Sequence, residues 1–281
     1  MKTLIQKIQV DEQQSFACRT YCTPIFETNW HQHEECELII INEGHGTVMI
    51  GEYVGGYKEG DVYFIASNLP HWFKKQHPAI FGSATVIHFK KSSFGEPFLQ
   101  LPEIKKIQQF LHKQQGIQLQ QALKTVVTNA ISAIDKSKGF QRLQLLLQCL
   151  QSMSTSTKYS IISHDFSAEI SDINPAIEEI IDFTFKHYLE TVTLPQIAAV
   201  ANMSIPTFCR FFKKNIKKTY FDFLQDLRIS HACKILSSSN KPVMDICYES
   251  GYNSWAHFSK QFKRVKKMTP TQYRNQFEKT A

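Results

Sequence analysis

The stretch ICYESGYNSWAHFSKQFKRVKKMTPTQYR (246–274) repeats a pattern already used at IAAVANMSIPTFCRFFKKNIKK (197–218). IAAVANM pairs with ICYESGY at an offset of 49, and past one inserted residue FCRFFKKNIKK (208–218) pairs with FSKQFKRVKK (258–267) at an offset of 50. In each copy a short helix ends at a small or tight position, Ala201-Asn202 or Ser250-Gly251. A Ser or Asn follows whose side-chain oxygen suits the N-cap of a second helix. The pattern therefore predicts helix, turn, helix, twice. Thr193 and Gln196 have the spacing of a capping box ahead of the first copy. Pro242 opens the second, where a missing N–H costs little.

The second helix of each copy divides into two stripes. Phe208, Phe211 and Phe212, and in the repeat Phe258, Phe262 and Val265, form the inward one. Facing outward are Ser204, Thr207, Arg210, Lys213 and Lys214, and then Asn253, Ser254, Trp255, His257, Lys260, Gln261, Lys263 and Arg264. Hydrogen-bonding residues near the N-terminus and cations further along suit a major groove, where polar side chains meet base edges and Lys and Arg meet phosphates. One such helix is equally an ordinary solvated face; its repetition favours DNA. Between the copies the apolar positions Leu224, Leu227, Ala232, Ile235 and Leu236 predict a long helix over 219–237. Such a strut would hold two recognition helices in successive major grooves, about 34 Å apart.

Charge follows the same division. Residues 182–281 hold 16 Lys and Arg against 7 Asp and Glu, a net +9, whereas the rest of the chain sums to −2. The local excess points to a polyanionic partner, nucleic acid before membrane.

Taken together, LPQIAAVANMSIPTFCRFFKKNI (194–216), FLQDLRISHACKIL (223–236) and the 246–274 stretch resemble the DNA-binding domain of AraC-type transcription regulators. The second-copy signature appears as Gly251-Tyr252, Phe258, Lys260, Phe262-Lys263 and Thr269-Pro270-Thr271-Gln272-Tyr273-Arg274. The resemblance implies seven helices, binding to specific operator DNA, and matching base or phosphate contacts at Arg210 and Lys260. In one respect the chain departs from the pattern: where the family commonly has Gly after each recognition helix, Lys217 and Lys267 stand here. A left-handed helix end costs Lys about 1 kcal/mol more than Gly.

The first third reads differently. Eight of the eleven glycines lie between Gly44 and Gly95, punctuating β-branched and aromatic runs at 37–41, 46–50, 61–65 and 84–89, so an all-β domain is expected. Within it HQHEECE places His31, His33 and Glu37 in the pattern HxHxxxE, with Gly44 seven residues on, and GDVYFIASNLPH brings His71. These segments resemble the two cupin motifs. On a barrel strand, residues two apart share a side, so the three histidines and the carboxylate can converge. They then have the donors for Zn²⁺, Fe²⁺, Mn²⁺ or Ni²⁺. Alternatively they line a metal-free pocket for a sugar or other small ligand, with Trp30 and Trp72 as stacking surfaces. A third alternative is that they are satisfied core histidines.

After Pro102, apolar residues step by three and four through Ile104, Ile107 and Leu111, then Leu123, Val127, Ala130 and Ile134, then Phe140, Leu143, Leu147 and Leu150. Three amphipathic helices are expected, the last with a heptad-like stripe suited to a dimer seam. From 151 to 172, nine of 22 residues are Ser or Thr, which reads as a flexible connection. The expected fold is thus α+β in two domains: a cupin-like β-barrel over 1–100, a helical dimerisation segment over 101–153, a linker over 154–172 and an all-α double helix-turn-helix domain over 173–281. No apolar run approaches the roughly 18 residues that span a bilayer, and MKTLIQKIQVDEQQ lacks a signal peptide's apolar stretch, so a cytoplasmic location is expected. Seven cysteines without a CxxC pair argue against a disulfide framework or zinc ribbon and for reduced apolar thiols.

The expected function is transcription regulation, as a homodimer on operator DNA, under a small-molecule effector such as a sugar, with RNA polymerase as partner if the protein activates. That role requires no catalysis and no cofactor. Two alternatives stand beside it: a metal-dependent cupin enzyme joined to a DNA-binding domain, and a sequence-blind DNA-packaging protein.

Overall fold

The computed structural model describes residues 8, 10, 14–113, 115–164 and 175–278, and the chain divides into two compact units, the first made of most of the residues up to 173 and the second of those that follow. In the first unit the strands are β1 (Phe16–Cys22), β2 (Cys36–Glu43), β3 (Gly46–Ile50), β4 (Tyr53–Tyr57), β5 (Val62–Ile65), β6 (His71–Lys75), β7 (Ser83–Phe89), β8 (Gly116–Leu119) and β9 (Tyr159–Ser163). They form a six-stranded sheet in the order β1-β7-β2-β5-β8-β9 and a three-stranded sheet in the order β4-β3-β6, the cupin-type arrangement of antiparallel strands.

Strand alternation divides the large sheet's side chains between two cores. Leu38 and Ile40 of β2, Val62 and Phe64 of β5, and Ile87 and Phe89 of β7 belong to one core, shared with the helices. Ile39 and Ile41, Tyr63 and Ile65, and Ala84 and Val86 belong to the other, together with Val48, Ile50 and Phe73 of the small sheet. Glu37 and His88 alternate in phase with this second set, so β2 and β7 carry both between the sheets. Gly44 turns the chain after β2 at φ +98°, where an added Cβ would lie 2.7 Å from the Phe81 carbonyl oxygen.

The helices of this unit are α1 (Glu96–Leu99), α2 (Lys105–His112), α3 (Gln121–Lys136) and α4 (Phe140–Thr155). Ile107 and Leu111, and Leu123, Val127, Ala130 and Ile134, are buried as the period predicts. On α4 the buried stripe is Leu146, Cys149, Leu150 and Met153. Of the expected heptad stripe only Leu150 joins that core, whereas Leu143 and Leu147 are half-buried and Phe140 is 70% exposed. Two short strands interrupt the segments expected to be helical or flexible. β8 pairs with β5, and β9, inside the expected linker, pairs with β8. The Ser/Thr-rich composition concealed β9. Yet Ser163 there is buried, and its hydroxyl donates to Glu52 Oε2 at 2.6 Å. Linker residues 165–172 lie outside the described residues.

The second unit has seven helices among the described residues: α5 (Pro175–His187), α6 (Leu194–Val200), α7 (Ile205–Ile216), α8 (Tyr220–Ser238), α9 (Val243–Glu249), α10 (Trp255–Lys266) and α11 (Pro270–Glu278). Eleven residues of α8 are buried, which makes it the strut on which both copies pack. Phe208 and Phe212 of α7 meet Tyr220 of α8, with ring centroids 5.5 and 5.4 Å away. Phe258 and Phe262 of α10 join Ile229, Ala232, Cys233 and Leu236 of α8. Each buried Phe contributes on the order of 2 kcal/mol. Phe211 and Val265, expected inside, are only half-buried, because the 3.6-residue turn gives the core positions to Phe208, Phe212 and Ile216.

None of the seven cysteines is paired. Cys36, Cys149, Cys233 and Cys247 are buried apolar thiols, but Cys22 and Cys209 are exposed. No helix among the described residues is long and apolar enough to cross a membrane.

Candidate nucleic-acid interface and cupin cavity

Both turns are built alike. The expected capping box of Thr193 and Gln196 opens α6, with Thr193 N donating to Gln196 Oε1 at 2.9 Å. Left-handed Asn202 (φ +53°) and Gly251 (φ +78°) turn the chain between the helices. Ser204 and Ser254 then cap α7 and α10, accepting from Thr207 N at 3.4 Å and His257 N at 3.5 Å. Two of the expected DNA-contact hydroxyls thus already serve the helix ends.

All the remaining expected contact residues, Thr207, Arg210, Lys213, Lys214, Asn253, Trp255, His257, Lys260, Lys263 and Arg264, are exposed; only Gln261 is half-buried. Arg210, Lys213, Lys214, Lys260 and Lys263 make no side-chain ion pair among the described residues, so their charge is available to an outside anion. Arg264 differs. Its Nη atoms lie 3.4 Å from Asp222 Oδ1 and 3.3 Å from Asp226 Oδ1, and its Nε donates to Gln261 Oε1 at 2.7 Å. Asp226 also takes Lys218 Nζ at 2.7 Å. Arg264 therefore ties α10 to α8. Its neighbour Gln261 donates through Nε2 to His257 Nε2 at 3.3 Å.

Lys217 and Lys267 close the recognition helices at φ +61° and +59°, in the left-handed conformation that the family's glycines serve. Their N–H groups donate to the carbonyls of Lys213 at 3.0 Å and Lys263 at 2.9 Å. The helix end is kept although the glycine is not.

In the first unit a cavity of about 210 Å³ opens between the sheets. Ile25, Phe26, Ile39, Phe73 and Val86 form its apolar wall, and His31, Glu37, His71 and His88 its polar end. His31 and His33 precede β2 and are not on a strand, as the sequence reading had them; an isolated bridge from His31 to His71 brings them in. His88, which sequence reasoning missed, stands opposite Glu37 in the β2–β7 register. Only its in-phase position in ATVIHF could have marked it. Trp30 and Trp72 are buried but do not line the cavity; Trp72 follows His71 on β6, where alternation turns it away.

The histidines are oriented by the backbone. Nδ1 of His31 lies 2.8 Å from the Asn29 carbonyl, Nδ1 of His33 3.0 Å from that of Glu35, and Nδ1 of His71 2.8 Å from that of Leu69. A carbonyl only accepts, so each Nδ1 carries the proton and each Nε2 is directed at the centre. There Glu37 Oε2 lies 3.2 Å from His33 Nε2, 2.8 Å from His71 Nε2 and 3.7 Å from His88 Nε2. His71 Nε2, although close, is not aligned for a hydrogen bond, and His88 Nδ1 has no partner. Donor atoms of His31, His33 and His71 form one group within 4.8 Å of one another, and those of His33, Glu37 and His88 form another.

Burial pushes His31 well below its ordinary pKa, helped by His71 and His33. Burial also lowers His88, to about 4. His71 goes the other way: burial would lower it, but the Glu37 carboxylate outweighs burial and raises it. Burial would raise Glu37, yet His71, His33 and His88 together hold it well below the carboxylate range. Fixed tautomers, converging Nε2 atoms and a buried carboxylate form a donor set that fits a divalent cation.

Comparison with known proteins agrees with both halves. A helix-turn-helix domain family matches residues 197–276 and a cupin domain family matches residues 24–84. An uncharacterized HTH-type transcriptional regulator, YdeC of Bacillus subtilis, is 23% identical over 259 residues, covering 87% of this chain and 85% of that protein. The HTH-type transcriptional activator RhaR of Mannheimia succiniciproducens is 25% identical over 258 residues, covering 89% and 88%. Among solved structures, ToxT from Vibrio cholerae aligns over 93% of this chain and 98% of its own, with 14% identity and a TM-score of 0.38.

Proposed function

Because this chain belongs to the AraC-type transcription regulators, with a cupin domain ahead of its helix-turn-helix domain, we propose that it acts in the cytoplasm as a dimeric, effector-controlled regulator of specific promoters. The observation that carries the DNA-reading part is the pair of matching helices, α7 and α10, whose exposed Arg210, Lys213, Lys214, Lys260 and Lys263 have no internal ion-pair partner among the described residues. In this reading Thr207, Arg210, Asn253 and His257 meet base edges and the lysines meet phosphates. Selection from random-sequence duplexes by the full-length protein tests it. Recovery of one common sequence is expected; equal retention of all duplexes would instead favour a sequence-blind packaging protein.

The cavity is the proposed sensor. Its imidazole and carboxylate end is suited to a divalent metal, held by His31, His33, Glu37 and His71, which would supply a Lewis-acidic anchor for an oxygen or nitrogen of the effector. Facing it, the apolar wall favours a compact ligand with an apolar body. The two tryptophans that suggested a sugar do not reach the cavity, which removes their support for that ligand class. Effector binding would alter how two copies pair through Phe140, Leu143 and Leu147, the part of the α4 stripe left outside the domain core, and the energy comes from the effector's differential affinity for the two arrangements. Positive control, with RNA polymerase as partner, is proposed because a long-range relative, RhaR, is named an activator.

The same imidazole cluster favours a second reading, metal-dependent catalysis in the cupin domain. Turnover of a small molecule by the metal-loaded protein, lost in His33→Ala, would support it; effector-dependent DNA affinity without turnover supports the sensor.

A further inference from the structure

Three parts of the C-terminal unit meet at Arg228, on the buried flank of α8. Its Nε donates to the Tyr188 carbonyl at 2.7 Å and its Nη2 to the Glu190 carbonyl at 2.6 Å. Both carbonyls belong to the loop that joins α5 to α6 and so leads into the first helix-turn-helix copy. On its other side the guanidinium lies 5.7 Å from the ring centroid of Tyr252, the residue after the turn glycine of the second copy. Loop and turn also touch directly. A Cβ added to Gly251 would lie 2.8 Å from the Leu189 carbonyl oxygen and 3.0 Å from Arg228 Nε. One turn along α8, His231 Nδ1 and the Tyr188 hydroxyl are 2.9 Å apart, which anchors the same loop again.

Packing alone does not explain an arginine here. Arg228 is 9% exposed and has no acidic partner among the described residues. An unpaired buried charge is costly, and an apolar side chain of similar volume would fill the space without that cost. What the guanidinium adds is a planar fork of donors in a fixed geometry, able to hold two backbone carbonyls at once while lying against an aromatic ring. No apolar residue does that, and lysine, with a single rotatable head, does it poorly.

We propose that Arg228 is a positioning residue that locks the first helix-turn-helix copy to the second, so that α7 and α10 accept only one spacing between their two DNA sub-sites. This rests on the DNA-reading proposal above, and the two fail differently. One inserted base pair moves a sub-site by about 3.4 Å and rotates it about the duplex axis, so a rigid pair of readers must reject it.

The test is selection from random-sequence duplexes by full-length wild type, Arg228→Met and Arg228→Lys, followed by sequencing and by titration of the selected site with one base pair inserted between its halves. Wild type is expected to recover two base clusters at one spacing and to lose about tenfold in affinity on the insertion, the size of a single mismatch. Arg228→Met is expected to recover the same two clusters with the spacing spread over neighbouring values, and to lose about threefold or less on the insertion. A merely structural role would lower binding to every site and leave the single spacing intact, and that result overturns the proposal. If Arg228→Met shows no cooperative unfolding transition, Arg228→Lys is judged by the same spacing distribution. A wild-type pool with no common sequence would sink the DNA-reading proposal and the clamp with it, whereas two clusters at an unaltered spacing in the variants would sink the clamp alone.

Discussion

Glu37 and His88 stand directly opposite each other in the β2–β7 ladder, and their side chains meet in the cavity with Oε2 and Nε2 3.7 Å apart. The same oxygen lies 3.2 Å from His33 Nε2, so His33 touches both potential donor groups. His33→Ala is therefore expected to abolish stoichiometric binding of a divalent cation, whereas His88→Ala leaves the three-imidazole group of His31, His33 and His71 complete and keeps it. At an ion concentration of about 100 times Kd, binding should stabilise the wild type by about 2.7 kcal/mol. Calorimetry with and without Zn²⁺, alongside metal analysis of the dialysed protein, checks both variants; an equal thermal shift in wild type and His33→Ala would remove the metal centre.

How much of this was legible in the sequence depended on whether the signal was local. Helix caps at Ser204 and Ser254, the turn at Gly251 and the burial of Phe208, Phe212, Phe258 and Phe262 are set by residues a few positions apart and stand in the structure as read, whereas Phe211 and Val265 are half-buried. HxHxxxE named residues that do converge, but not along one strand, since His31 and His33 reach the centre from a loop tied to β6. Beyond its in-phase position in ATVIHF nothing local marked His88, because its meeting with Glu37 depends on the pairing of β2 with β7, 51 positions further on. The partners of Arg264 were hidden for a similar reason. Its helix position is outward, but Asp222 and Asp226 of α8 are there to take its charge.

Arg264 and Arg210 should accordingly separate in binding experiments. Arg210 has no internal ion pair among the described residues, so Arg210→Ala is expected to cost about 1–3 kcal/mol and to relax preference at one base position. Arg264→Ala should leave base preferences unchanged and cost at most about 1 kcal/mol of stability, the range of exposed ion pairs. Affinities for a panel of single-base operator variants distinguish the two; a base-specific loss for Arg264→Ala would return that residue to the interface.

Lys267, at φ +59°, occupies a conformation that glycine enters without a Cβ penalty. Lys267→Gly is expected to raise stability by about 0.5–1 kcal/mol, read from the urea midpoint. If the lysine also meets a phosphate, as its place at the end of a recognition helix suggests, the same change weakens DNA binding uniformly and reduces the salt slope by about 0.9. Greater stability together with weaker, less salt-dependent binding is the expected pair of results; lower stability would show that the left-handed lysine is not strained.

Lys234, on α8, gives a pH signature of its own. Burial pushes its pKa down to about 8, well below the ordinary lysine value. Below about pH 8 both folded and unfolded chains hold the proton, and the folded state bears the full cost of the partly desolvated charge. Between about pH 8 and 10.5 the folded chain has released a proton that the unfolded chain still binds, so this group makes stability rise with pH across that window. Lys234→Met removes the cost at its source. It is expected to stabilise the protein at pH 7 by about 1 kcal/mol, a value discounted for the part of the side chain that remains in water. The advantage should shrink as pH rises towards 10, because the wild type sheds the charge there by itself. Urea midpoints of the full-length proteins at pH 7, 8, 9 and 10 measure the difference directly, and subtraction of variant from wild type cancels the buried tyrosines that titrate nearby. A gap that stays constant with pH would mean that packing, and not the charge, separates the two proteins.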